Sequence, residues 1–175
     1  STREILAKEI DEAEALGLEN ILALRGDPPK GQTTFQAVEG GFRYAVDLIR
    51  FIKERSQFCL GAAAYPEGHV ECSIKHADWD RAAAKVEAGA EFAVTQPVFD
   101  TDQLERFLKR VEKHRIPIVA GIWPLVSLRN AEFLANEVPG ITVPEEVLVR
   151  MRKAQAGGKE AALAEGVAIA REMFE

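Results

Sequence analysis

Four short apolar segments, each followed within a few residues by a proline, alternate along this chain with segments whose apolar residues recur at helical spacing. The apolar segments predict strands at Ile21–Leu24, Phe58–Ala64, Phe92–Thr95 and Ile118–Ile122. Their starts lie about 25 to 37 residues apart, which is the period of a strand-and-helix unit. Right-handed crossovers make such strands parallel, so we expect one parallel sheet with its strands in sequential order.

Helices are predicted where apolar residues recur every three or four positions. The first helix begins at Ser1 and Glu4, which have the spacing of a capping box, and it ends at Gly17. The predicted helices cover Ser1–Leu16, Glu39–Arg55, Asp78–Ala88, Asp102–His114, Glu145–Gln155 and Lys159–Phe174. Strands therefore alternate with helices, as they do in α/β proteins.

Composition restricts the partners of the chain. Its 175 residues are 47% hydrophobic and 29% charged, which suits one soluble domain with a real core. The formal net charge is −6 and no basic stripe is interleaved with aromatic residues, so we expect no nucleic acid partner. The longest nearly uncharged run, Ser56 to Pro66, is far shorter than the roughly 20 residues of a membrane-spanning helix. A cytoplasmic protein without membrane contact is expected.

Cysteine usage excludes two further classes of protein. Cys59 and Cys72 are the only cysteines, and Cys59 lies inside an apolar run. Two such residues support neither a disulfide framework nor a zinc site, so we predict reduced thiols and no bound metal.

Four parallel strands alone leave two bare sheet edges. No charged or short antiparallel strand is present in the sequence to protect these edges. We therefore interpret residues 1–175 as a single partial domain, about half of a (β/α)8 TIM barrel with four parallel strands and flanking helices, rather than as a self-sufficient doubly wound sheet. A homo-oligomer, or association with another chain, is expected to cover the open edges.

The residues directly after each strand, here called the strand exits, carry most of the chemically versatile side chains. Carboxyl ends of parallel strands meet at one edge, so these side chains are expected around one mouth. They are Arg25, Asp27, Tyr65, Glu67, His69, Gln96 and Trp123. Charged, amide and aromatic groups together suit a planar, partly charged organic ligand. The glycine-rich dinucleotide motif, the P-loop and the zincin motif are all absent.

The four strand exits together resemble 5,10-methylenetetrahydrofolate reductases. The motifs are Asn20–Pro29 (NILALRGDPP), Ala64–His69 (AYPEGH), Glu87–Asp100 (EAGAEFAVTQPVFD) and Gly121–Leu125 (GIWPL), in the family's order. Residues Gln96–Asp100 and Arg129–Leu134 are most similar to the branch that includes proteins fused to a homocysteine methyltransferase domain. The resemblance implies a (β/α)8 barrel that binds FAD at the carboxyl ends of its strands. Relative to that barrel, the first three strands and the eighth are not among these residues.

The resemblance also implies a reaction and its catalytic residues. It implies hydride transfer from reduced FAD to 5,10-methylenetetrahydrofolate, which gives 5-methyltetrahydrofolate in one-carbon and methionine metabolism. Asp27 and Gln96 are the implied catalytic residues and also bind the folate, together with Asn130, which stands where many members have a glutamine. A carboxylate at Asp27 would stabilise the cation that precedes hydride transfer, although a turn cap before Pro28 is the alternative interpretation. The amide of Gln96 can donate to and accept from a pterin edge.

A larger set of residues is implied to bind FAD. It comprises Arg25, Gly26, Asp27, Tyr44, Ala45, Tyr65, His69, Cys72, Asp78, Arg81 and Lys85. Ordinary packing is the alternative for Tyr44, and surface charge pairing is the alternative for the i, i+3, i+7 row formed by Asp78, Arg81 and Lys85. Ala84 replaces a residue that is commonly basic, so one diphosphate contact of the family is absent.

The electron donor has no fingerprint of its own, so NADH, NADPH, ferredoxin and a partner subunit all stay open. In the family the general acid is a glutamate on the first strand, which would precede Ser1. The alternative hypothesis is therefore a noncatalytic half barrel that at most binds flavin or assembles with another chain.

Overall fold

Strands and helices alternate as far as the fourth strand, and three helices follow it. A computed structural model describes residues 1–26, 35–67, 75–138 and 140–174, with the backbone alone in residues 75–79. The elements are α1 Arg3–Ala15, β1 Asn20–Ala23, α2 Ala45–Arg55, β2 Cys59–Ala64, α3 Lys75–Glu87, β3 Phe92–Pro97, α4 Thr101–Val111, β4 Ile118–Gly121, α5 Leu128–Glu137, α6 Glu145–Ala156 and α7 Lys159–Phe174. A short 3-10 turn, Glu112–His114, follows α4. Within the described ranges no helix is long and apolar enough to cross a membrane.

The four strands form one sheet in the order β1, β2, β3, β4. β1 and β2 are parallel, with Asn20 paired to Cys59 and the register continuing to Ala23 and Ala62. Two backbone hydrogen bonds of 3.0 Å, from Ala93 N to Pro117 O and from Val98 N to Gly121 O, advance in the same chain direction along β3 and β4 and the residues that flank them. Such an advance is the pattern of a parallel pair. The predicted parallel sheet with sequential neighbours is confirmed.

Three helix starts differ from the prediction by two or more residues, and one of them is that of α3, which begins at Lys75 instead of Asp78. Thr2, rather than Ser1, is the N-cap of α1, and its hydroxyl accepts a hydrogen bond from the backbone N–H of Ile5 at 3.4 Å. α2 begins at Ala45 instead of Glu39, because Gly40 has a φ of +74° that a helix does not allow. The apolar spacing before Ala45 belongs to a turn, which periodicity alone did not distinguish from a helix.

The chain divides into two compact units, and the first contains Ser1–Ala63, Arg81–Val94 and His114–Ile118. Its core lies between β1 and β2 and the helices α1 and α2. The buried residues are Ile10, Ala23, Leu48, Ile49, Ile52, Phe58, Leu60, Ala62, Ala88 and Ala90. The buried residues of α2, Leu48, Ile49 and Ile52, lie on one side of the helix. Burial of this apolar side stabilises α2 where it packs on the core.

The second unit contains Ala64–Asp80, Thr95–Lys113 and Val119–Glu175. Its core is built largely by the last three helices. The apolar residues of α6 and α7 recur at the helical spacing that predicted these two helices. The buried residues are Phe99, Leu125, Ala131, Leu134, Ile141, Val143, Val147, Met151, Ala162 and Ile169. The carboxyl ends of β2, β3 and β4 belong to this unit, so these helices support the strand exits.

Gly166 allows α7 to approach the exit of β4 closely. A Cβ atom built on Gly166 would lie 1.7 Å from the carbonyl oxygen of Leu125, which is a fully buried residue. The obstructing atom is backbone, so no side-chain rotation can relieve the clash. Only glycine at this position is compatible with the observed packing of α7.

We predict that Gly166→Ala destabilises the protein even though alanine is the better helix former. Overpacking costs about 1 to 3 kcal/mol and outweighs the roughly 1 kcal/mol that alanine contributes to helix propensity. Ala164→Gly, at an exposed position of the same helix, is the matched control and should lose only about 1 kcal/mol. Thermal melting of both variants checks the prediction, and a Gly166→Ala protein as stable as the parent would contradict it.

Candidate functional site

Three of the strand exits lie in the second unit. Tyr65 directly follows β2, Gln96 is the penultimate residue of β3, and Trp123 follows β4 by two residues. Tyr65 and Gln96 are half-buried, whereas Trp123 keeps 46% of its surface exposed. An aromatic ring and an amide are therefore presented at the carboxyl ends of strands, as the sequence predicts.

Thr95 fixes the backbone beside Gln96. Its side chain is buried, its hydroxyl donates to the carbonyl of Gln96 at 2.7 Å, and it accepts from the backbone N–H of Gly121 at 2.9 Å. A Cβ atom on Gly121 would lie 3.0 Å from the carbonyl oxygen of Thr95, so glycine allows β3 and β4 to approach at this point. Sequence reasoning missed Thr95, because a threonine in a strand is ordinary and its partner lies 26 residues away.

Glu67 corrects one expectation from the sequence, since it does not stand on the rim as an exposed carboxylate. It is only 7% exposed. Its Oε2 accepts a hydrogen bond from the backbone N–H of Thr142 at 2.6 Å, and its Oε1 accepts from the N–H of Phe99 at 3.5 Å. Burial raises the pKa of Glu67, although these hydrogen bonds oppose the shift. Glu67 therefore connects segments of the second unit instead of facing a ligand.

Asp100 ends the third motif and caps α4. Its Oδ1 accepts from the backbone N–H of Gln103 at 3.0 Å, and its Oδ2 accepts from the Gln103 side-chain amide at 2.8 Å. Burial acts to raise the pKa of Asp100, but the hydrogen bonds from Gln103 outweigh it and the pKa is lowered. An ionised N-cap at Asp100, three residues after β3 ends at Pro97, fixes the start of α4 at Thr101.

Asn130 lies in the first turn of α5, where its side chain has a local partner. Ser127 is the N-cap, and its hydroxyl accepts from the backbone N–H of Asn130 at 3.1 Å. The Oδ1 atom of Asn130 in turn accepts from the backbone N–H of Val126 at 3.3 Å. Ser127 therefore caps Asn130, and the Oδ1 atom of Asn130 has a structural partner in the backbone of Val126. Folate binding by Asn130 stays a prediction.

The exit of β1 lies in the first unit and begins with Arg25 and Gly26. The Nε of Arg25 donates to the carbonyl of Gly26 at 3.3 Å, and the guanidinium lies 4.5 Å from the centroid of the Phe35 ring. Gly26 has a φ of +85°, which side-chain-bearing residues rarely adopt. Glycine at position 26 therefore allows a backbone conformation that would strain a residue with a side chain.

The remaining described FAD-binding candidates of the first unit lie at α2 and α3. Tyr44 is the N-cap of α2, and its ring is 54% exposed with the guanidinium of Arg43 at 5.4 Å from its centroid. Ala45 is the first residue of α2. On α3, Arg81 is exposed and Lys85 is half-buried, and the Nζ of Lys85 donates to the carbonyl of Ala63 in β2 at 2.7 Å. Lys85 is thus directed toward the end of β2.

Four predicted residues have no described side chain. Asp27, His69 and Cys72 lie outside the described residues, and Asp78 lies in α3 at a position where only the backbone is described. Among the residues that are described, no group of three or more His, Cys, Asp or Glu side chains could hold a metal ion.

We predict that Thr95→Val destabilises the exit of β3, because valine has the shape of threonine but neither donates nor accepts a hydrogen bond. Leaving the two backbone partners unpaired should cost about 1 to 3 kcal/mol of unfolding free energy. Thr95→Ser keeps the hydroxyl and is the matched control, with a smaller loss. Urea denaturation checks both variants, and equal stability of the valine and parent proteins would contradict the assigned role.

The sequence also matches known proteins and a protein family. The family model for methylenetetrahydrofolate reductase matches residues 1–175. Methylenetetrahydrofolate reductase 2 of Schizosaccharomyces pombe is 34% identical over 167 residues, which cover 87% of this chain and 26% of the relative. The probable methylenetetrahydrofolate reductase (NADPH) of Caenorhabditis elegans is 35% identical over 145 residues, covering 81% of this chain and 21% of the relative.

The fold also has a counterpart among solved structures. An uncharacterized protein from Clostridium thermocellum that binds two copies of 5-methyl-5,6,7,8-tetrahydrofolic acid superimposes with a TM-score of 0.62. The match is 18% identical and covers 99% of this chain and 56% of that protein. The chain spans about a fifth to a quarter of the length of the two curated relatives. Its four parallel strands and flanking helices are part of a (β/α)8 barrel, and the chain belongs to the methylenetetrahydrofolate reductase family.

Proposed function

We propose that the intact protein reduces 5,10-methylenetetrahydrofolate to 5-methyltetrahydrofolate with FAD as the hydride carrier, in one-carbon and methionine metabolism. The observation that carries this proposal is the family match over residues 1–175, with relatives named as this reductase in a yeast and a nematode. A noncatalytic half barrel is the competing hypothesis, and the experiments below separate the two.

The described residues fit FAD in their chemistry. Arg25 and Arg81 carry guanidinium groups that suit a diphosphate, and the exposed ring of Tyr44 offers an aromatic face. Gly26 has a φ of +85°, a conformation that residues with side chains rarely adopt. Asp27, His69, Cys72 and the side chain of Asp78 enter the proposal from the motifs alone.

Gln96 and Asp27 would have different roles toward the folate. When bound, FAD supplies the hydride. Gln96 would orient the pterin, because an amide donates and accepts at once and its backbone is fixed by the Thr95 hydroxyl. Asp27 would stabilise positive charge that develops on the folate, since a carboxylate aimed at that charge lowers its energy. Asn130 would add a second amide contact.

The ligands of relatives support the substrate class and the electron donor. The Clostridium thermocellum protein of similar fold binds 5-methyl-5,6,7,8-tetrahydrofolic acid, which is the product expected here. The nematode relative is named with NADPH, so a reduced nicotinamide is the proposed donor. A cytoplasmic location and a homo-oligomer that covers the open edges of the sheet stay predictions from the sequence.

We predict that the intact protein is purified with bound FAD and shows a flavin absorbance spectrum. Arg25→Ala should lower the FAD content, because the implied cofactor contact and the ring contact with Phe35 are both lost. Arg129→Ala removes an equally charged but exposed residue of α5 and is the matched control. A colourless parent protein that takes up no added FAD would contradict the proposal and favour the noncatalytic half barrel.

We predict different kinetic losses for Asp27→Asn and Gln96→Ala. Asp27→Asn should keep FAD but slow folate reduction on the order of 10²-fold, which is typical when an electrostatic group aimed at developing charge is removed. Gln96→Ala should mainly weaken folate binding and leave flavin reduction by the donor intact, because that half-reaction contains no folate.

Stopped-flow measurement of the two half-reactions separates these roles. The exposed residues Asp102 and Gln57 provide matched controls as Asp102→Asn and Gln57→Ala, both with parental rates expected. Folate reduction at the parental rate by Asp27→Asn, or parental folate affinity in Gln96→Ala, would refute the assignment.

A further inference from the structure

One buried carboxylate joins three segments of the second unit that are distant in the sequence. Glu67 follows β2, and its oxygens accept the backbone N–H groups of Phe99, after β3, and Thr142, between α5 and α6. These partners lie 32 and 75 residues further along the chain. Each oxygen therefore holds a different segment beside the exit of β2.

A carboxylate at position 67 is not explained by stability alone, because the side chain is buried and a buried charge is unfavourable. The residues next in sequence to Glu67 and to its partners are buried and apolar, namely Pro66, Val98, Ile141 and Val143, as is its partner Phe99. Its hydrogen bonds come from neutral groups, namely the backbone N–H groups of Phe99 and Thr142 and the Thr142 side chain, and the Asp100 carboxylate adds a like charge. Burying an ion among apolar groups is unfavourable unless its hydrogen bonds supply something that a neutral side chain does not.

Hydrogen bonds hold the backbone of residues 96–99 at several points, and Glu67 accepts one of them. At the first of these residues, the carbonyl of Gln96 accepts from the Thr95 hydroxyl at 2.7 Å. In the middle of the segment, the N–H of Val98 donates to Gly121 at 3.0 Å. At its end, the N–H of Phe99 donates to Glu67. Residues 96–99 are thus held from β4 and from the β2 exit, and Glu67 is the side chain that holds their last amide.

We propose that Glu67 is a positioning residue that holds the segment Gln96–Phe99 in the geometry in which the Gln96 amide binds the substrate. The proposal rests on the proposed folate reductase function of this site. Glu67 itself contacts no substrate, and it acts through the backbone between Phe99 and Gln96. Displacing a binding group by about 1 Å reduces rates by up to about 10²-fold, so a loosened exit is expected to impair folate use.

Glu67→Gln is the informative substitution, because glutamine keeps the size of the side chain but has one acceptor oxygen instead of two. Its NH2 group would face one of the two backbone N–H donors, and that donor loses its partner. Ile169→Val trims a buried residue of α7 in the same unit, away from the strand exits, and is the control for a general loss of stability.

The test has one structural and one kinetic measurement on the intact protein. Amide hydrogen exchange at Phe99 should be faster by about tenfold or more in Glu67→Gln, with Thr142 measured beside it, and exchange at both amides should be unchanged in Ile169→Val. Stopped-flow kinetics should show a KM for 5,10-methylenetetrahydrofolate raised by about tenfold, with flavin reduction by NADPH within about twofold of the parent.

The outcomes are distinguishable. Unchanged exchange at Phe99 overturns the proposal, whatever the result at Thr142, because the carboxylate then does not hold the segment that carries Gln96. Faster exchange with an unchanged folate KM, or with equal losses in both half-reactions, also overturns it, since Glu67 is then only a structural residue. A parent protein that does not reduce the folate refutes the proposed function and with it the role of Glu67 toward the substrate, while the exchange data still decide whether Glu67 holds the amides.

Discussion

Consecutive strands of this chain pair in parallel, so every connection must cross from one end of the sheet to the other and carries a helix on the way. The carboxyl ends of such strands necessarily share one edge of the sheet. Residues with versatile chemistry can therefore be brought to one edge by standing at the end of a strand, as Gln96 does, or directly after one, as Tyr65 does.

Strands and helices could be predicted from the sequence where neighbouring residues mark their ends. All four strands lie within one or two residues of their predicted bounds, because a short apolar run and its closing turn residues are both local features. α2 was predicted to begin at Glu39 because the apolar spacing continues through Phe42. The positive φ of Gly40 breaks that helix, so backbone conformation overrides periodicity here.

The arrangement of side chains at the exits could be predicted only in part. Position after a strand identifies Gln96, but it does not tell whether a side chain turns toward the mouth or into the protein. Glu67 was expected on the rim and is buried, because its partners Phe99 and Thr142 come from distant segments that no local pattern connects to it. Thr95 was missed for the same reason, since its hydroxyl bonds to the neighbouring strand at Gly121.

The pKa of Glu67 indicates what its carboxylate contributes. Burial raises this pKa above the ordinary value, so the folded protein holds the proton more tightly than the unfolded chain. Stability from this group is therefore fully present below the unfolded pKa and is lost as the pH rises through the folded pKa. The ionised form of Glu67 is therefore less favourable in the folded protein than in the unfolded chain. Its advantage is geometric, because two acceptor oxygens on one short stem can meet the amides of Phe99 and Thr142 together, whereas one oxygen cannot.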